Sequence, residues 1–172
     1  MSQQAINNLS DKKNSIVLLQ GVFVSAFFEE LKKKNPANVF VMEGRPTLEA
    51  AQSSSVELLK RKITPTLISD NMAGFLFFKG LVKEVCVAYQ MSDKDGALCD
   101  IGALILGVLA KKHNVPVYLY PSRKQSSRMG KQKDIFYFNG KRVAPAGIRG
   151  YVPLMEWVPS QYMMNVYEPA KH

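Results

Sequence analysis

Cysteine and histidine are scarce in this sequence, with two of each among 172 residues. Neither Cys86 nor Cys99 has a CxxC or Cys/His neighbourhood, so the spacing that builds a zinc site is missing and no metal is expected. Long apolar runs are missing too. The stretch from Ile101 to Ala110 is too short to span a bilayer. The polar opening Met1-Ser-Gln-Gln-Ala-Ile-Asn-Asn lacks the basic-then-apolar layout of a secretion signal. These absences predict a cytoplasmic protein without a membrane partner. No G-x-G-x-x-G, P-loop, H-E-x-x-H or G-x-S-x-G occurs, so no nucleotide, metalloprotease or hydrolase signature is present and no cofactor is expected.

What is present is ordinary globular composition, 47% hydrophobic and 22% charged, enough to bury one core. The net charge of +9 favours anionic partners such as phosphorylated metabolites or nucleic acid. Much of the excess is local. Ser122 to Lys133 carries Arg123, Lys124, Arg128, Lys131 and Lys133 with no acid. That stretch has no aromatic residue to stack a base, which weakens a single-stranded nucleic-acid platform against a solvated loop.

Short β-branched or aromatic runs alternate with longer amphipathic stretches, the pattern of a parallel sheet covered by helices. Strands are expected at 15–20, 38–43, 66–69, 83–89 and 116–120. Helices are expected at about 22–34, 46–61, 71–79 and from Asp100 to beyond Leu109. Asn35-Pro36 stops the first helix, and Asp70 is a candidate N-cap for the third. A polar loop is expected from Gln90 to Leu98. Asp134–Phe138 and Lys141–Val143 read as a hairpin about Asn139-Gly140, and a terminal helix is expected near 160–167. The fold class is therefore α/β, a Rossmann-like doubly wound, mostly parallel sheet with a small β-rich C-terminal appendage. One domain is expected over residues 1–172, with an N-terminal arm at about 1–14, a sheet core at 15–120, a basic loop at 121–134 and the appendage at 135–172.

In such a sheet, ligands bind outside the carboxyl ends of the strands. Helix N-termini there offer free amides, so a phosphate is expected either at Gly44–Thr47 or at the Asp100 helix start. Arg45 either clamps a phosphate or carboxylate or pairs with Glu43 or Glu49 to fix its loop. Asp70 is either a turn residue or the one candidate base. Cys86 reads as strand core. Cys99, at an expected loop-to-helix junction, is a core residue or a thiol activated by a helix N-terminus.

Several segments resemble a known family. Glu43-Gly-Arg-Pro46 followed by Glu57-Leu58 is similar to the E-x-R-P…E-L segment of methylthioribose-1-phosphate isomerases, shared in modified form by ribose-1,5-bisphosphate isomerases and the regulatory subunits of initiation factor 2B. Ile63 to Gly74 resembles I-P-V-T-L-I-x-D-x-M-A-G, and Ile101 to Tyr118 resembles I-G-T…L-A-x-x-H-x-I-P-F-Y. Asn139 to Gly147 and Val152 to Pro159 resemble N-G-x-x-I-A-P-x-G and N-P-A-F-D-V-T-P. The resemblance runs in order from about residue 38 to 167. It implies the C-terminal half of that family, self-association as a homodimer or higher homo-oligomer, sugar-phosphate binding and a link to methionine salvage.

The departures bear on chemistry. The family isomerises an aldose 1-phosphate with a cysteine in a T-H-C-N-like strand end and an aspartate in V-G-A-D. The first corresponds to Ile16–Gln20, without cysteine, and the second to Val87–Gln90, where Gln90 or Tyr89 stands. Neither acts as a carboxylate base near neutral pH. A-N-K-I-G-T becomes Leu98-Cys-Asp-Ile-Gly-Ala103, and the family's N-terminal helical domain has no counterpart in these residues. The resemblance therefore implies a non-catalytic, phosphorylated-ligand-binding or oligomerising regulatory domain. The competing expectation is an isomerase with altered catalytic residues or one completed by a partner chain. The candidate ligand-binding residues are Glu43, Arg45, Asp70, Asn71, Gln90, Cys99, Asp100 and Arg123, with Asp70 also the catalytic candidate.

Overall fold

In the computed structural model, which describes residues 16–163 and 165–166, the first strand sets the architecture. β1 (Ile16–Gln20) is buried along its whole length. Ile16 and Leu18 belong to one apolar cluster and Val17 and Leu19 to the other. A strand with two apolar faces needs cover on both, which is why parallel strands of this kind read as continuous hydrophobic runs. β2 (Asn38–Met42) repeats the division, with Phe40 and Met42 on one side and Val39 and Val41 on the other.

α1 (Ser25–Lys34) and α2 (Glu49–Lys60) cover the first face through Phe27, Phe28, Leu31 and Leu58. α3 (Ala73–Phe78) and α4 (Ala103–His113) cover the second through Ala73, Leu76, Phe77, Leu106 and Ala110. β3 (Thr66–Ile68), β4 (Val82–Asp93) and β6 (Val117–Pro121) complete the central sheet. With β10 (Asn165–Val166) at one edge, its order is β10-β6-β4-β1-β2-β3, every neighbouring pair parallel. The chain runs outward from β1 to β3, then returns through α3 to lay β4 on the other side of β1. The helices change faces at that reversal, and the cleft between β1 and β4 is the switch point at which such sheets bind ligands.

The basic α/β reading is met, and the differences have physical causes. Residues 90–98 form no loop. β4 continues to Asp93 and turns back into β5 (Gly96–Asp100), antiparallel to it. The turn is closed by Asp93 Oδ1, which accepts from the amides of Asp95 (2.7 Å) and Gly96 (3.2 Å). β9 (Met155–Pro159) then pairs antiparallel with β5. Polar Gln90 and Ser92 hid this extension because one face of the hairpin is not core. Residues 22–24 stay extended instead of starting α1, since Val24 N–H donates to Pro121 O and Arg123 N–H to Val22 O.

The expected hairpin forms as β7 (Tyr137–Phe138) and β8 (Lys141–Arg142), with Asn139 and Gly140 both at positive φ (50° and 73°) as the two-residue turn requires. The residues before it coil into α5 (Gln132–Phe136) rather than extending the strand. The expected terminal helix is corrected as well. Ser160–Tyr162 is a single 3-10 turn, and β10 (Asn165–Val166) joins β6; the rest of that expectation and the N-terminal arm lie outside the described residues. No helix among the described residues is long and apolar enough to cross a membrane.

Gly21, the residue that leaves β1, sits at φ 101°, and a Cβ there would lie 2.6 Å from Ala88 Cβ on β4. Gly21→Ala should therefore lower stability by about 2 to 4 kcal/mol from backbone strain plus the clash. In chemical denaturation, adding Ala88→Gly should restore only the clash component; full restoration would show that the backbone conformation carries no cost.

Candidate functional site

The carboxyl ends of β1 and β2, the end of β5 and the basic loop converge on a narrow cavity of about 20 Å3, room for one water-sized group. Gln20, Gly21, Gly44, Arg45, Asp100, Glu49 and Lys124 are among the residues that line it. Glu49 and Lys124 form an ion pair at its edge. Both also border an adjoining open groove of about 390 Å3, together with Val22, Gln52, Ser53 and Arg123, a volume in the range of small-molecule sites.

Two sets of loop amides suited to an anion are present, and each is already engaged. Asp70 does not cap its own helix. Its Oδ1 accepts from Gly44 N–H (2.9 Å) and its Oδ2 from Arg45 N–H (2.7 Å). The carboxylate thus fixes the turn between β2 and α2, because β3 runs beside β2 and delivers residue 70 to that loop. The second set lies at α4. Asp100 does not start that helix but ends β5, and the helix begins after Gly102 at φ 98°. There Glu156 Oε1 accepts from Gly102 N–H (2.7 Å) and Leu104 N–H (2.9 Å). A side-chain carboxylate on β9 occupies the place expected for a phosphate.

The other expected residues divide clearly. Glu43 directly follows β2, and its carboxyl is raised by burial and by the charge of Asp70, against Arg45. The Arg45 guanidinium stacks over the Phe138 ring at 4.6 Å, tying the appendage to this loop, instead of pairing with Glu43 or Glu49. Arg123 donates through Nη2 to Ser53 Oγ (2.7 Å) in the open groove. Asn71 accepts from Ser69 Oγ (3.0 Å) on the surface, and Gln90 Nε2 points to Met155 Sδ (3.3 Å); neither lines the cavity or the groove. Cys99 is the clearest correction. It lies within β5, fully buried, and burial, with Asp100 and Glu156 nearby, pushes its thiol up to about 12. That is the reverse of an activated thiol. Cys86 is core, as expected, and its thiol is also raised by burial.

Glu156 and Lys124 gave no local signal in the sequence, since their partners stand many residues away. Gln20 is 3% exposed. Its Nε2 donates to Ile101 O (2.9 Å) and lies 3.4 Å from Asp100 O, and its Oε1 has no partner among the described residues. Burial raises the Asp100 carboxyl from 3.8 to about 6. Among the described residues no group of three His, Cys, Asp or Glu is placed to hold a metal ion.

Comparison with known proteins adds the lineage. The family model described as "Initiation factor 2 subunit family" matches residues 1–166. A methylthioribose-1-phosphate isomerase of Thermus thermophilus is 29% identical over 158 residues, covering 85% of this chain and 48% of that protein. The enzyme of the same name from Syntrophus aciditrophicus is 33% identical over 144 residues, 77% of this chain and 39% of its own. The chain thus spans about half the length, or less, of these curated relatives. Among solved structures, translation initiation factor eIF-2B subunit delta from A. fulgidus superposes with a TM-score of 0.76 at 20% identity, covering 94% of this chain and 53% of that one. The 5-methylthioribose 1-phosphate isomerase of Pyrococcus horikoshii gives 0.75 at 20% identity, covering 88% and 49%.

Two outcomes follow from the site. Asp70→Ala strands two amides and should cost about 2 kcal/mol. Added phosphate should then raise the melting temperature of the variant more than that of the parent, because the vacated amides bind anions; equal increments would mean that the cradle collapses. For Asp100, the folded chain holds the proton more tightly than the unfolded chain does. Stability from this group is therefore present at low pH and lost as pH rises from about 4 through about 6. Asp100→Asn should flatten that part of the pH–stability curve and stabilise the chain at neutral pH by roughly 1 to 3 kcal/mol.

Proposed function

The chain belongs to the Initiation factor 2 subunit family, and from that premise we propose that it is a non-catalytic, self-associating regulatory domain related to the methylthioribose-1-phosphate isomerases and acting in the cytoplasm. The observation that carries this reading is the occupation of both anion cradles by the chain's own carboxylates, Asp70 on Gly44 and Arg45 and Glu156 on Gly102 and Leu104. A sugar phosphate entering the cavity would have to displace one of them. The cavity itself, about 20 Å3, is far smaller than the roughly 300 Å3 or more typical of small-molecule sites. No thiol is available for covalent or acid–base work, since Cys86 and Cys99 are buried. A phosphorylated effector, if one acts on the domain, has Arg123 and Lys124 of the open groove as its anchors.

Self-association draws support from the exposed apolar side chains of the appendage, Phe138, Val143, Ile148 and Tyr151, the last 76% exposed. Surfaces of this kind are commonly covered by a partner.

One observation favours a second reading, an isomerase with altered residues. Asp100 lines the cavity with a carboxyl raised to about 6, a value suited to proton transfer near neutral pH. The decisive experiment combines an isomerase assay on methylthioribose 1-phosphate with light scattering of the purified chain. The expected result is no turnover above background and a mass of two or more chains, reduced by Tyr151→Asp. Turnover abolished by Asp100→Asn would establish the second reading instead.

A further inference from the structure

The positive charge of this chain is concentrated in one segment. Residues 123–151 hold eight basic side chains and a single acid, Asp134, against a net charge of +9 for the whole chain. That acid is engaged, since its Oδ2 accepts from Lys131 N–H (3.0 Å) at the start of α5. Of the eight basic residues, only Lys124 forms an ion pair among the described residues. No residue from Ser122 to Tyr151 is buried, and none belongs to either apolar cluster. The segment thus adds nothing to the core and leaves its charge uncompensated, a condition that a polyanionic partner relieves.

The most densely charged stretch, 122–133, has no aromatic residue of its own, but the fold brings rings to it. Lys133 and Phe136 stand three residues apart on α5 and so share a side of it. Tyr137 on β7 lies opposite Arg142 on β8, and Phe138 opposite Lys141. Directly opposed residues share a face, which puts Tyr137 with Arg142 on one side of the hairpin and Phe138 on the other. The Arg142 guanidinium lies 5.4 Å from the Phe136 ring centroid and 5.8 Å from that of Tyr137. Its Nε donates to Ala144 O (2.7 Å), which holds it in place. Tyr137 is 48% exposed. Around the same short helix, Leu154 N–H donates to Arg128 O (3.0 Å) and Gly130 N–H to Val152 O (2.8 Å). Gly150 packs against Ile135 and Phe136, so Arg128, Lys131 and Arg149 border the platform.

We propose that this face binds single-stranded nucleic acid, with Arg128, Lys131, Lys133 and Arg149 meeting phosphates and bases stacking on the Tyr137 ring and the Arg142 guanidinium plane. Unpaired bases stack on aromatic rings and on guanidinium planes, whereas a duplex keeps its base faces hidden. An acidic protein would use the charge but leave the rings idle. A membrane surface would need an apolar helix face, and α5 has five residues. The inference goes beyond the regulatory reading above and does not depend on it: self-association was assigned to Phe138, Val143, Ile148 and Tyr151, and Tyr137 lies on the opposite side of the hairpin from Phe138.

The test is fluorescence anisotropy of a labelled oligouridylate of about twelve nucleotides, a length within the range that one single-strand site covers, titrated with the purified chain at several salt concentrations. Saturable binding is expected, with log K falling against log salt at a slope of about −3, as four phosphate contacts to a single strand give. Lys131→Ala should make that slope shallower by about 0.7. Tyr137→Ala should weaken binding about tenfold with the slope unchanged, and Tyr137→Phe should restore it, because stacking needs the ring and not the hydroxyl. Unlabelled duplex and linear polyphosphate of matched charge should compete at least tenfold less well than unlabelled oligouridylate. Equal competition by either would show a surface that reads charge alone and would overturn the proposal, with no variant required. Absence of binding at low salt would overturn it too, as would a Tyr137→Ala chain that melts like the parent and binds as tightly.

Discussion

The two-sided burial of β1 is the condition from which the remaining architecture follows. A strand whose successive residues Ile16, Val17, Leu18 and Leu19 are all buried needs neighbours on both edges and helices on both faces. Each apolar side chain buried there contributes of order 1.5 to 3 kcal/mol. The chain meets the demand by sending α1 and α2 to one face and α3 and α4 to the other. Any chain that does so must reverse direction beside its first strand, and the reversal leaves a cleft at the strand ends. The location of the site is thus a by-product of covering β1.

What the cleft contains is decided by a second demand, that buried backbone amides find acceptors. In a relative that holds a bound anion, the ligand can meet part of that demand. Here Asp70 and Glu156 meet it from within, so the loops keep their shape without an occupant. The same carboxylates leave the amides of Gly44, Arg45, Gly102 and Leu104 already paired, so an incoming anion finds none of them free. Overall charge is accordingly a poor guide to local chemistry in this molecule: at the strand ends Arg45 and Lys124 are matched by Glu49 and Asp100.

The core was legible because burial leaves a periodic trace. The five central strands and four helices fell close to the expected positions, and Asn139-Gly140 marked its own turn. What failed was structure whose logic is not periodic. The β4–β5 extension has one half-exposed face, so Gln90 and Ser92 looked like loop. The stretch after Pro159 looked helical because Gln161 and Tyr162 tolerate a turn, while the pairing of β10 with β6 depends on a strand far back in the chain. At the site, Asp70 was assigned the wrong amides, since β3 beside β2 carries it to a loop that sequence distance conceals. Glu156 was unreadable for the same reason. Cys99 was misplaced because its environment changed from helix start to strand interior once β5 formed.

The burial of Cys86 and Cys99 has a practical side. With two cysteines in the whole chain, both beneath the surface and both with thiols held in the protonated form, alkylating reagents and oxidants have no ready target on the folded molecule. A cysteine placed on the surface would be the single reactive thiol, so the native sequence can carry a site-specific fluorophore or cross-linker without first removing its own cysteines.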